Sequence, residues 1–297
     1  RYHCFRASMD EDLQARVANL RASRRAGARE VPNDRSTEWL EEWAVHKHVG
    51  EVDSAESFAD SFNAQSFDEN KLTVVSADLR ELGGNGAAAH VERSAQISFA
   101  FRFPPECSDA FVRRNAPTVS QVLALSTIDV LRAILVDRDA ECFALRCPDD
   151  VLVSNQKIAY MFTHDAASAE SRPGWIMVSA NVNLTQSGKD PGVTSLQTLL
   201  EDEAVCSAEV FAAKLASLFS AALWKLFAHG FAYFRERVNV LEFHKGHRLS
   251  WRFQDSVGTD GTYLGINDSG HVMIKRADGK SDCYPRDEFV ITAFRPP

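Results

Sequence analysis

Positions 79–90, LRELGGNGAAAH, set a glycine-rich loop between two strand-like runs. Such a layout lets successive backbone N–H groups close around a phosphate. Positions 83–89 carry no Lys, Arg, Ser or Thr. Gly83, Gly84, Asn85 and Gly86 are therefore read either as a neutral nest for an anion or as an ordinary surface turn, and the turn is the expected outcome. Two histidine pairs also have types that do chemistry. His46 and His48, in HKH, could ligate a metal, but the surrounding residues read as a helix, on which they would diverge, so solvated histidines and no metal site are expected. His244 and His247 flank a turn and receive the same reading.

The chain that must position these groups has 297 residues, 45% of them hydrophobic and 25% charged, enough to bury a core without disulfide or metal staples. A net charge of -8 argues against a surface built for extensive phosphate contact. Cys4, Cys107, Cys142, Cys147, Cys206 and Cys283 are scattered without a C-x-x-C pair, which fits reduced thiols in an intracellular compartment. No apolar run reads as long enough to span a bilayer, so no membrane span is expected. An Arg-led start without Met fits a processed import form, from which a mitochondrial location is expected; it fits other origins as well.

Residues 10–20 and 36–48 read as short helices. Between them lies a basic arm, 21–29, read as a solvated linker with RNA contact as the weaker alternative. The acidic, Ser-rich stretch 50–70 carries Phe58, Phe62 and Phe67, aromatics that must dock on this chain or on a partner. From Lys71 onward, KLTVVSA, AQISFAFRF, CFALRC, DVLVS, KIAYMFTH and WIMVSANVNL read as strands. TVSQVLALSTIDVLRAIL reads as an amphipathic helix, and CSAEVFAAKLASLFSAALWKLFAHG as a second, capped by Ser207 and stopped by Gly230. The last segment reads as short strands joined by Asp/Gly turns. The expected fold is α+β, a mixed β-sheet with helices on one face, followed by a small β-barrel.

Four stretches, in this order, resemble the biotin–protein ligases of the biotin/lipoate ligase superfamily. LRCPDDVLVSNQKIAYMF is similar to the family's KWPND segment and the lysine strand after it. SANVNL is similar to GINVN, and TSLQTLL to the Thr-Ser-Leu that follows. GTYLGINDSGHVMIKRADGK is similar to the hairpin of the C-terminal SH3-like module. RASMDEDLQARV echoes the start of the family's first helix, with Ser8 and Met9 in place of Thr and Asn. The resemblance implies a division into 1–70 (N-terminal helix and atypical insertion), 71–243 (ligase-like domain) and 244–297 (SH3-like module).

The resemblance also implies a reaction: biotin's carboxylate attacks the α-phosphate of ATP, and an acceptor lysine then takes biotin from the adenylate. Such catalysis is positioning and charge neutralisation. In the family, an arginine-rich GRGRRGR loop supplies much of the charge. Laid on this sequence, its arginine places fall on Gly84, Gly86, Ala87 and Ala89. Loss of one such donor typically costs about 2.7–4 kcal/mol of barrier. Arg146 stands for the lysine of KWPND, Cys147 for its tryptophan and Asp149 for its asparagine. Tyr160 stands where the family has a glycine beside biotin, and Ala180 replaces an isoleucine taken as part of the same wall; Lys157, Asn181 and Asn183 persist. Arg146 and Lys157 are the degenerate catalytic candidates, with Arg146 read equally as a strand-end arginine paired with Asp149 or Asp150 and Lys157 as a turn residue; Tyr160, Asn181 and Asn183 mark a vestigial biotin pocket, the two asparagines also read as strand-packing and turn groups. The expected protein has lost catalysis and serves as a structural or interaction subunit of a larger assembly, meeting protein partners through residues 23–70, with no cofactor. The alternative is an active, divergent ligase using ATP and biotin, with charges supplied by Arg80, Arg93 or the basic arm.

Overall fold

The computed structural model describes residues 44–52, 58, 71–83, 90–135, 142–147, 149–163, 175–185, 191–200, 206–253, 256–286 and 289–295. The expected helix at 10–20, the arm at 21–29, Phe62, Phe67 and loop residues Gly84, Asn85 and Gly86 lie outside them.

Seven strands form the main sheet: β1 (Ala44–Val52), β2 (Leu72–Gly83), β3 (His90–Arg102), β4 (Phe143–Arg146), β5 (Asp150–Val153), β6 (Gln156–Thr163) and β7 (Trp175–Thr185), in the order β1-β2-β3-β7-β6-β5-β4. β1 runs parallel to β2 and every other pairing is antiparallel, so the sheet is mixed. The helix expected over 36–48 is corrected over its second half: Ala44 to His48 are strand. Pairing with β2, which Ala44, His46 and His48 extend to Leu72, Val74 and Ser76, outweighs the local helical pattern.

Alternation along the strands sorts the side chains. Leu72 and Val74 of β2, Ile97, Phe99 and Phe101 of β3, and Val178, Ala180 and Val182 of β7 face one core. α2 (Val119–Ile134) and α4 (Ala208–His229) cover it, with α1 (Asp109–Asn115), α3 (Leu196–Leu200) and α5 (Ala232–Leu241) around them. α2 is buried along most of its length; its Ser126 and Thr127 hydroxyls satisfy themselves on the carbonyls of Val122 and Leu123, each at 3.0 Å. Ser207 caps α4, its Oγ accepting from Val210 N at 3.3 Å, and Gly230 ends it at φ +68. Buried Asn115 accepts from Phe231 N at 2.7 Å, fixing that corner. By length and composition α4 could cross a membrane, which amends the expectation that no run is long enough; here Phe211, Leu215, Phe219 and Leu223 bury one side of it on the sheet.

The C-terminal strands β8 (Arg248–Phe253), β9 (Ser256–Ile266), β10 (Val272–Lys275), β11 (Ser281–Tyr284) and β12 (Phe289–Arg295) form an antiparallel sheet in the order β11-β10-β9-β8-β12. Its core of Leu249, Trp251, Tyr263, Val272, Ile274 and Phe289 also contains Cys147, from the turn after β4. Burial pushes that thiol up to about 12, so it packs as an apolar group. Beside it, buried Arg286 donates from Nη1 to Glu242 Oε1 at 2.6 Å and holds Nε 3.9 Å from Asp149 Oδ1, which also accepts from Ser120 Oγ at 3.2 Å. Asn239 exchanges two bonds with Ile266, at 2.7 and 2.9 Å. The five-stranded unit is thus locked to the α+β domain by a plug from the turn after β4, a buried ion pair to Glu242 and a side-chain clip from α5.

His244, read as solvated, is 3% exposed. Burial, then His247 and Arg146, push its imidazole down to about 4. A folded-state value below the ordinary 6.5 means the unfolded chain binds the proton first. Stability is therefore full above pH 6.5 and falls toward pH 4, by about 3 kcal/mol at the end of that window. Urea unfolding across that range should show the loss, and His244→Gln should flatten it. Arg286→Met strands the buried carboxylate of Glu242 and should cost about 3–5 kcal/mol, with Arg286→Met/Glu242→Leu costing less than the single change. Equilibrium denaturation measures both.

Candidate functional site

The face of the main sheet turned away from α2 and α4 carries the site. Directly opposed residues line up across it in one row: Arg146, Asp150, Tyr160, Asn181, Gln96 and Ala77, one each from β4, β5, β6, β7, β3 and β2. A second row holds Phe162, Ser179, Ser98 and Val75. So Arg146, Tyr160 and Asn181, remote in sequence, fall in register on one surface.

Lys157 joins them through an irregularity. The β5–β6 hairpin turns on Ser154 and Asn155, at φ 50 and 66, as a two-residue turn requires. The register then shifts between Val151 and Leu152, so that Leu152 opposes Lys157 while Asp150 opposes Tyr160. This bulge buries both Ile158 and Ala159 in the core and leaves Lys157 and Tyr160 on the same face. Asp150 is the centre of the resulting cluster. It accepts from Arg146 Nε at 3.0 Å and Nη2 at 2.6 Å, and Lys157 Nζ stands 3.5 Å from its other oxygen. Lys157 Nζ also lies 5.0 Å from the centroid of the Tyr160 ring, which stacks on Phe162 at 5.7 Å. Tyr160, 38% exposed, caps the row.

Farther along, the polar groups satisfy one another. Asn181 Nδ2 donates to Gln96 Oε1 at 2.9 Å and Ser94 Oγ at 3.2 Å, and Ser98 bonds Ser179. Asn183 donates to Thr194 O at 3.2 Å, holding the Thr-Ser-Leu segment. The β1 end of the face is closed by apolar contact: Phe58 is buried among Val75, Ala77, Ala100 and Met177, with Val49, Val52 and Trp175 beside them. At least that aromatic of the insertion docks on this chain.

Two readings change. Ala180 is not a wall of this face; it opposes Ile97 and Met161 in the helix-side core. Arg93, offered as a substitute cation, is on the helix side too, with Nη2 3.0 Å from Asp78 Oδ1. Gly83 is the last residue of β2, opposed to His90, where the glycine loop begins. Asp150 is one of the two partners expected for Arg146; Gln96, Ser98 and Ser179 were not singled out in the sequence. Strand alternation signals which residues share a face, but not which strand lies opposite. Among the described residues no group of three or more His, Cys, Asp or Glu is placed to hold a metal ion.

This architecture is that of solved biotin protein ligases. The biotin protein ligase from Aquifex aeolicus in complex with biotin and ATP matches with a TM-score of 0.61 at 17% identity, over 85% of this chain and 99% of that chain. A biotin protein ligase-like protein of unknown function from Silicibacter matches with a TM-score of 0.56 at 15% identity, over 82% of this chain and 94% of that chain. No family model and no curated protein matches. The chain therefore has a biotin protein ligase-like fold, an α+β domain followed by an SH3-like C-terminal unit.

Asp150 decides how much positive charge this face offers. Asp150→Asn should raise the affinity for inorganic pyrophosphate above that of the parent protein, measured by titration calorimetry. Because these ion pairs are partly solvated, folding stability should change by no more than about 1 kcal/mol.

Proposed function

We propose that this protein is a biotin protein ligase-like pseudoenzyme, one that keeps the fold as a structural or interaction subunit and no longer makes biotinyl-adenylate. The observation that carries this reading is the Arg146–Asp150–Lys157 cluster. Adenylation brings a carboxylate and a triphosphate together, and the transition state needs preorganised cations aimed at the charge that develops. Here the two cations, Arg146 and Lys157, already share the one carboxylate of Asp150, which neutralises one of their two charges and draws both toward the protein. Tyr160 stands over the row, and the Asn181–Gln96 bond occupies polar groups that would otherwise meet a ligand. The arginine places of the loop hold Gly84, Gly86, Ala87 and Ala89.

Protein partners meeting residues 23–70, in a mitochondrial assembly, complete the proposal. No biotin or ATP is needed in that role. The test is direct. Purified protein incubated with biotin and ATP should release no biotin-dependent pyrophosphate, and biotin should not shift its melting temperature. Biotin-dependent pyrophosphate release, or micromolar biotin binding, overturns the proposal in favour of an active divergent ligase.

A further inference from the structure

His46 and His48 take on a different meaning as residues of β1. Positions two apart on a strand share a face, and both imidazoles end on one atom. His46 Nε2 lies 2.9 Å from Ser76 Oγ and His48 Nδ1 lies 3.1 Å from it. The remaining nitrogen of His48, Nε2, faces Asp78 Oδ2 at 3.7 Å. Asp78 is itself buried and held by Arg93 Nη2 at 3.0 Å. Two imidazole nitrogens converge on one hydroxyl, and a fixed carboxylate stands behind the second ring, beyond hydrogen-bond distance. A carboxylate that closes to hydrogen-bond distance orients a metal-binding histidine and raises its basicity. His46 is exposed at the sheet edge, which opens the pair to solvent.

We propose that His46 and His48, with the Ser76 hydroxyl beside them, form a site for one late first-row divalent ion of the Cu2+, Ni2+ or Zn2+ type. Imidazole donors select these ions over Mg2+ and Ca2+. Two imidazoles are fewer donors than a closed structural zinc site has, so water completes the coordination and the site is open. Asp78 is a positioning residue, acting through His48. With Ser76 taking part, the ion would tie β1, paired on one side among the described residues, to β2. This inference is independent of whether the opposite face of the sheet binds biotin.

Titration of the full chain with CuSO4 or ZnCl2 tests it. One equivalent should bind, raise the melting temperature and slow amide exchange over 44–52. Copper bound there should show spin-resonance coupling to two imidazole nitrogens. His46→Gln and His48→Gln keep a polar partner for Ser76 and should each weaken binding at least about 10-fold, and Asp78→Asn should weaken it by about 10-fold. Unchanged binding in His46→Gln/His48→Gln places the ion on other side chains and overturns the proposal, as does the absence of binding by the parent protein. If the double variant fails to fold, coupling to fewer than two imidazole nitrogens in the parent protein has the same force.

Discussion

A sheet has two faces, and in this protein α2 and α4 occupy one of them. Everything else follows from that division. Residues buried under the helices are fixed by apolar contact, and their strand neighbours are left to form the opposite surface. Ala180 and Asn181 differ by one position and lie in different environments: one packs with Ile97 and Met161, the other bonds Gln96. A slip of one residue in any of these strands would exchange the two sets. The core therefore sets the functional face indirectly, through register.

On that face the polar groups are arranged to satisfy one another. Arg146 and Lys157 share Asp150, Asn181 serves Gln96 and Ser94, and Asn183 serves the Thr194 carbonyl. A site built to stabilise developing charge keeps donors aimed at the place where the charge will appear. These donors are aimed at the protein itself. The aromatic ring of Tyr160, with Lys157 against it, adds a cover that a glycine would not supply. Which partners these residues take is visible only in the tertiary structure.

The junction with the C-terminal strands shows the same economy of position. Cys147 stands where the resemblance places a tryptophan, and it plugs the core of the five-stranded unit. Asp149, two residues on, meets Arg286 from that unit and Ser120 from α2. Burial raises the Asp149 carboxyl above its ordinary value, opposed by Arg286 and by the Ser120 bond. Cys147 and Asp149, in the segment that resembles the KWPND motif, are therefore held from both sides.

Much of this was readable in the residues alone. The Ser207 cap, the Gly230 stop and the β segments from Lys71 onward are local patterns, and each is found close to where it was expected. The lack of arginine at positions 83–89 is likewise a property of the chain itself. Other features were not readable. His46 and His48 belong to a strand because β2 offers them a partner, and His244 is buried because distant aromatic residues, Phe294 and Tyr263, close around it. Lys157 reaches Asp150 and Tyr160 because of a bulge whose placement depends on how β5 and β6 pair. Periodicity and capping are determined within a few residues of each other, so the sequence alone determined the elements. Register, bulges and ion pairing depend on strands that come from elsewhere in the chain, so only the tertiary structure decided what those elements present.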